Sequence, residues 1–179
     1  NKRFSIGDFG IHRAFGRWKR QYPKNTVNFI HQTWKSNKIP TNCINYTQSW
    51  KQNTKYIYIL WTDQMMIEFL QIEFPNQWNK YIQNYPKKIN IVDAWRYFVL
   101  YTFGGIYVDI DFECKIPLKN WHNCDKIIFG QECPEHCHRM NLKQIVCNAF
   151  ISCPPREHFF KYLQEKLELY KRNTGDRIS

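Results

Sequence analysis

The stretch from Ile91 to Leu118, IVDAWRYFVLYTFGGIYVDIDFECKIPL, decides the fold. In its first half Ile91, Val92, Trp95, Phe98, Val99 and Thr102 recur at steps of three and four, which predicts a helix over 89–103 with one apolar face. Gly104 then supplies the left-handed residue that stops such a helix. Ile106-Tyr107-Val108 reads as a short strand, and Asp109-Ile110-Asp111 stands at its end. Residues two apart on a strand point to the same side, so both carboxylates face one way, about 7 Å apart at the backbone. A turn at the strand end would bring them closer. Two hard oxygen ligands, completed by waters and substrate phosphates, suit Mn²⁺ or Mg²⁺ rather than zinc.

Asp93 and Arg96 lie three apart on the predicted helix, hence on one of its faces. One reading is an exposed ion pair of little energy. The other is a ligand clamp, in which Asp93 accepts from hydroxyls and Arg96 donates to a phosphate or sugar oxygen. Sixteen residues separate Asp93 from Asp109, enough for a helix and a tight Gly-Gly return to the same sheet edge.

Upstream, Thr26 to Thr33 is a short apolar run of strand formers that ends in the loop Trp34 to Pro40. Residues 42 to 52 carry a weak helical pattern. Tyr56 to Trp61 is a second strand, and Thr62 or Asp63 caps a helix from Gln64 to Glu73 whose Met66, Phe69 and Leu70 share a face. This strand and helix alternation predicts parallel pairing. Residues 74 to 88, with Pro75 and Pro86, read as an irregular connection anchored by Trp78, Tyr81 and Tyr85. Downstream, Lys126 to Gly130 and Ile145 to Cys153 read as strands. A last helix follows from about Arg156 to Arg172, with Phe159, Leu163 and Leu167 at helical spacing. In an open sheet of this kind ligands bind beyond the carboxyl ends of the strands, where the acidic pair lies.

The chain has 179 residues, 43% of them apolar and 17% aromatic, which is material for one domain and one core. No run reaches the roughly 20 apolar residues of a membrane span. The net charge is +11, and seven basic residues against one acid fall in the first 24. We therefore divide the chain into a basic arm, 1–25, and a core, 26–179. A basic arm can serve nucleic acid, a membrane surface or anionic substrates, but no nucleic-acid motif supports the first. Seven cysteines, five of them after position 120, point to an oxidising, secretory compartment with disulfides, the odd count leaving at least one unpaired within the chain. Asn45-Tyr46-Thr47 is a glycosylation acceptor triplet in keeping with that compartment. Cys133, His136, Cys137 and His138 also invite a zinc reading, but their spacing is not that of a finger, and disulfides or free thiols are favoured.

The segment 91–118 resembles the Asp-x-Asp sugar-binding region of glycosyltransferase family 32, which includes yeast initiating α-1,6-mannosyltransferases and inositol-phosphoceramide mannosyltransferases. VNFIHQTWK (27–35), LWTD (60–63) and NAFISCPP (148–155) match that family in order, so the resemblance covers roughly residues 26 to 175. It implies a GT-A fold, a Rossmann-like, mostly parallel sheet flanked by helices in a single domain. It also implies a retaining, metal-dependent hexosyltransferase using Mn²⁺ or Mg²⁺. The donor would be a nucleotide sugar, GDP-mannose in the first place or a UDP-hexose, and the acceptor a glycan or glycolipid. Carried over by position, Asp111 would ligate the metal, and Asp109 would contact the metal or the sugar. Asp93 and Arg96 would hold the donor sugar, and His31, Gln32, Thr33 and Trp34 would line the nucleotide site. Tyr107 would pack beside the ribose, and Asn148 would approach donor or acceptor. The setting implied is the Golgi lumen, with a membrane anchor in the full-length protein. Family members continue past Thr174-Gly175 with a His- and Trp-rich segment that closes the donor site, so the resemblance implies that this chain ends short of it. A silent sugar-nucleotide or glycan-binding module remains the alternative to an enzyme.

Overall fold

The computed structural model describes residues 29–118 and 126–174. The basic arm, Thr26 to Asn28 of the first strand and Cys124 lie outside them. The elements, in order, begin with β1 (Phe29–Trp34), a 3-10 turn (Thr41–Cys43), α1 (Ile44–Lys51), β2 (Ile57–Thr62) and α2 (Asp63–Glu73). There follow α3 (Pro75–Lys80), a second 3-10 turn (Ile82–Asn84), α4 (Lys88–Phe103) and β3 (Gly105–Val108). The chain then forms β4 (Ile128–Gln131), α5 (Pro134–Arg139), β5 (Val146–Cys153) and α6 (His158–Thr174).

The five strands form one sheet in the order β2-β1-β3-β5-β4. The pairs β1·β2 and β1·β3 are parallel, as strand and helix alternation predicts, whereas β3·β5 and β5·β4 are antiparallel. The sheet is thus mixed. The carboxyl ends of β1, β2, β3 and β4 all meet one edge, and β5 begins there.

Helices cover both faces. On one, α2, α4 and α6 bury Phe69, Leu70, Trp95, Phe98 and Phe160 against Phe29, Trp61, Tyr107 and Ile151 of the strands. Full burial of each large side chain contributes about 1.5–3 kcal/mol. On the other, Trp50 of α1 joins Ile30, Ile106, Val108 and Leu118. The alternation of strand side chains between these clusters places Tyr107 on the α4 side and Ile106 and Val108 on the α1 side.

Thr62 caps α2 through its Oγ1, which accepts from the Met65 amide at 3.3 Å. The 74–85 connection is more regular than its prolines suggest, because Pro75 sits at the first position of α3, where a missing N–H costs nothing. Pro134 plays the same part in α5, a six-residue helix too short for periodicity to reveal. Gly104 ends α4 at φ 63°, with its amide on the Leu100 carbonyl at 2.7 Å. Among the described residues no helix is long and apolar enough to cross a membrane.

Candidate donor site at the carboxyl edge of the sheet

Helix α4 delivers Asp93 and Arg96 to the edge where β3 ends at Asp109. Arg96 is buried, 4% exposed, and its guanidinium organises the site. Its Nη2 donates to Asp93 Oδ1 at 2.6 Å, and its Nη1 donates to the Asn148 carbonyl at 2.6 Å. The same Nη1 lies 3.7 Å from Asp109 Oδ1. Its plane rests 4.5 Å from the centre of the Tyr107 ring. Asp93 and Arg96 are therefore no exposed surface pair. Burial works against the Arg96 charge, but Tyr107, Asp109 and Asp93 more than offset it and push its pKa up.

Asp109 is held from every side. Its amide donates to Ala149 at 2.9 Å, and its carbonyl accepts from Gln32 Nε2 at 3.2 Å. Tyr107 donates its hydroxyl to Asp109 Oδ1 at 2.5 Å. Burial raises the Asp109 carboxyl above its ordinary range against the pull of Arg96 and Tyr107, and Asp111 and Asp93 push it further up. Burial likewise raises Asp93, against Arg96, and raises Tyr107, whose hydroxyl also bonds Thr33. Asp111 follows in a turn, closed by the Phe112 amide on the Asp109 carbonyl at 3.2 Å, and is exposed.

Asp93 and Asp109 thus share one guanidinium, and Asp111 adds its negative charge beside that of Asp109. The imbalance is the observation that fits a divalent cation: Asp109 and Asp111 offer hard oxygens at an open edge of a chain that is otherwise basic. Among the described residues no third His, Cys, Asp or Glu completes a metal cage, so phosphate and water oxygens would supply the remaining ligands.

Of the other residues singled out in the sequence, Thr33, Trp34, Tyr107 and Asn148 reach the same edge; Trp34 is half-buried beneath Lys35, whose Nζ lies 5.7 Å from its ring, and the Asn148 side chain bonds Tyr97. The side chains of His31 and Gln32 are wholly buried, as is that of Tyr107, of which the hydroxyl meets Asp109. His31 accepts from Trp61 Nε1 through Nδ1 at 3.1 Å, so the proton sits on Nε2, which bonds the Gly104 carbonyl at 3.0 Å. Both ring nitrogens are thus engaged inside the fold. Gln32 acts through Asp109, and Tyr58 orients it by donating to Oε1 at 2.9 Å. Tyr58 and Tyr97 escaped the sequence reading, because their parts depend on strand register and on where β5 begins.

The zinc reading of 133–138 also dissolves. Cys133 is exposed, Cys137 is buried, and His136 Nδ1 pairs with Glu132 at 3.0 Å. The expected disulfides are absent among the described residues, where all six cysteines are free.

Residues 40–128, half the chain, match the model of the glycosyltransferase sugar-binding region containing the DXD motif. The chain belongs to this family. The family's motif is Asp109-Ile110-Asp111 here. Inositol phosphoceramide mannosyltransferase 3 of Schizosaccharomyces pombe is 37% identical over 111 residues, 62% of this chain and 30% of that protein. Mannosyl phosphorylinositol ceramide synthase CSH1 of Saccharomyces cerevisiae is 32% identical over 152 residues, 84% of this chain and 38% of that protein. The chain thus spans about a third of the length of these curated relatives. Among solved structures, PaToxG glycosyltransferase superposes with a TM-score of 0.51 at 16% identity, over 92% of this chain and 69% of that one. The fold is accordingly of the GT-A type.

Proposed function

We propose that this chain is the donor-binding core of a retaining glycosyltransferase that moves a hexose, mannose from GDP-mannose, to a glycan or glycolipid acceptor. The observation that carries the reading is the Arg96 guanidinium fixed between Asp93 and Asp109 beside an exposed Asp111. In this arrangement Asp93 accepts from donor hydroxyls, and Arg96, already oriented by the Asn148 carbonyl, presents its charge to the sugar and phosphate oxygens. A divalent cation at Asp109 and Asp111, Mn²⁺ or Mg²⁺, would neutralise the diphosphate as it leaves with the nucleotide. Tyr107 keeps its proton and steers Asp109. The burial of Arg96 and Tyr107 fixes these groups before a donor arrives, which is how a site lowers a barrier through electrostatics. Mannose is supported by the relatives, an inositol phosphoceramide mannosyltransferase and a mannosyl phosphorylinositol ceramide synthase. The reading carries with it a secretory setting, the Golgi lumen.

Calorimetry with GDP-mannose and UDP-hexoses, with and without Mn²⁺, tests this. We expect GDP-mannose to bind in a metal-dependent way, and Asp111→Ala to weaken it at least about ten-fold. Preference for a UDP-hexose would change the donor, and metal-independent binding would remove the cation. If neither this chain nor a longer form releases nucleotide in a donor-hydrolysis assay, the site is a silent binding module.

A further inference from the structure

Beyond Asp111 the chain runs as a strap, Phe112 to Leu118, across α1. Three side chains of α1 and its C-terminal turn hold the strap by its backbone. Trp50 Nε1 donates to the Phe112 carbonyl at 2.8 Å, Ser49 Oγ accepts from the Cys114 amide at 2.8 Å, and Asn53 Oδ1 accepts from the Leu118 amide at 3.1 Å. Asn53 Nδ2 meanwhile bonds the Ser49 and Trp50 carbonyls at 3.2 Å, which ties the latch to the end of the helix.

Beside this latch lies an open groove of about 500 Å³ between α1 and the strap. Asn45, Gln48, Ser49 and Gln52 form one wall, at the i, i+3, i+4, i+7 spacing of a single helical stripe. Glu113, Cys114 and Lys115 form the other, with the two charges 4.0 Å apart. The lining is three primary amides, one balanced charge pair, the Cys114 thiol and the Ser49 hydroxyl, which is already engaged by the Tyr46 carbonyl and the Cys114 amide. An amide both donates and accepts, as a sugar hydroxyl does, so the set matches a neutral polyhydroxylated ring. It offers no net charge to an anion, and its lining is more polar than apolar.

We infer that this groove is the acceptor-side subsite and takes a polyol ring, a hexose or an inositol. The inference rests on the proposed transferase reading for the word acceptor, but not for the binding itself. The strap is what links the two sites: Glu113 stands two residues from Asp111, on backbone fixed to α1. Since Asn45 heads Asn45-Tyr46-Thr47, a glycan attached there would fill the same groove, and the protein to test is the unglycosylated one.

The experiment is NMR titration of the Asn45, Gln48 and Gln52 side-chain amides with methyl α-mannoside and, separately, myo-inositol, without nucleotide. We expect saturable shifts at these three residues with at least one ring, the stronger one naming the source. In the Gln48→Ala, Gln52→Ala double variant, affinity should drop by about ten-fold or more, the loss of two hydrogen-bonding partners. Both positions are exposed, so the melting temperature should hold. No shift with either ring, or equal affinity in the double variant, overturns the subsite. Ring binding without sugar-nucleotide binding retires the donor reading and leaves the groove, while the reverse retires the groove alone.

Discussion

His31 shows what a single residue can hide. In the sequence it opens a His-Gln-Thr-Trp run at a strand end, which is where ligand-contacting side chains gather, yet its ring ends in the interior between Trp61 and Gly104. Strand alternation settles this: Phe29 and His31 share the α4 face with Trp61, and only the register of β1 against β2, His31 opposite Ile59, shows it. Burial lowers the His31 pKa from 6.5 to about 4, although its bond to Gly104 pulls the other way. The depressed value has a definite sign. The unfolded chain takes up a proton below pH 6.5 while the native state does not until pH falls to about 4, so stability is present above 6.5 and is lost as pH drops through that window. The loss from this residue approaches roughly 3 kcal/mol. Denaturant melts at pH 7, 5.5 and 4.5 should show the slope, and His31→Leu should flatten it. Asp93, Arg96 and the paired aspartates were legible because chemistry and spacing coincide in them. The burial of Arg96 was not, since i,i+3 spacing alone describes an exposed pair equally well.

At the scale of elements, long periodic segments announced themselves and short ones did not. Helix α4 and strands β1, β2 and β3 stand within a few residues of where periodicity and punctuation set them. Helices α3 and α5 were missed, each six residues long and opened by a proline. The antiparallel half of the sheet was also beyond the pattern, because β4 and β5 are joined by a short helix and nothing in composition gives strand direction. The Gly104-Gly105 turn has a strict requirement. Gly105 adopts φ 92°, and a methyl group there would come within 2.5 Å of the Phe29 carbonyl, an atom of the neighbouring strand's backbone. Gly105→Ala should therefore cost more than about 2 kcal/mol, the sum of a strained dihedral and a displaced strand. An unchanged midpoint in urea would show that the turn can shift freely.

Across the whole molecule, the cysteines invite a test of the secretory setting. Cys43, Cys137, Cys147 and Cys153 are buried as free thiols, and burial pushes Cys153 far up. Without reductant, a thiol reagent should meet exposed Cys133 first, and the four buried thiols only when the fold opens. If denaturation without reductant releases none of these four, disulfides hold them. The cysteine count was therefore a poor guide to bridges, since small buried thiols pack as ordinary apolar residues. The mixed sheet also has a metrical consequence. Four residues separate Gly105, locked against Phe29, from Asp109, about 13 Å of strand. This short run acts as a gauge block: the pinned glycine at one edge sets the height of the carboxylate at the other. One residue more would turn Asp109 to the α1 face, away from Arg96. Two more would restore the face but lift the carboxylate about 7 Å past the guanidinium.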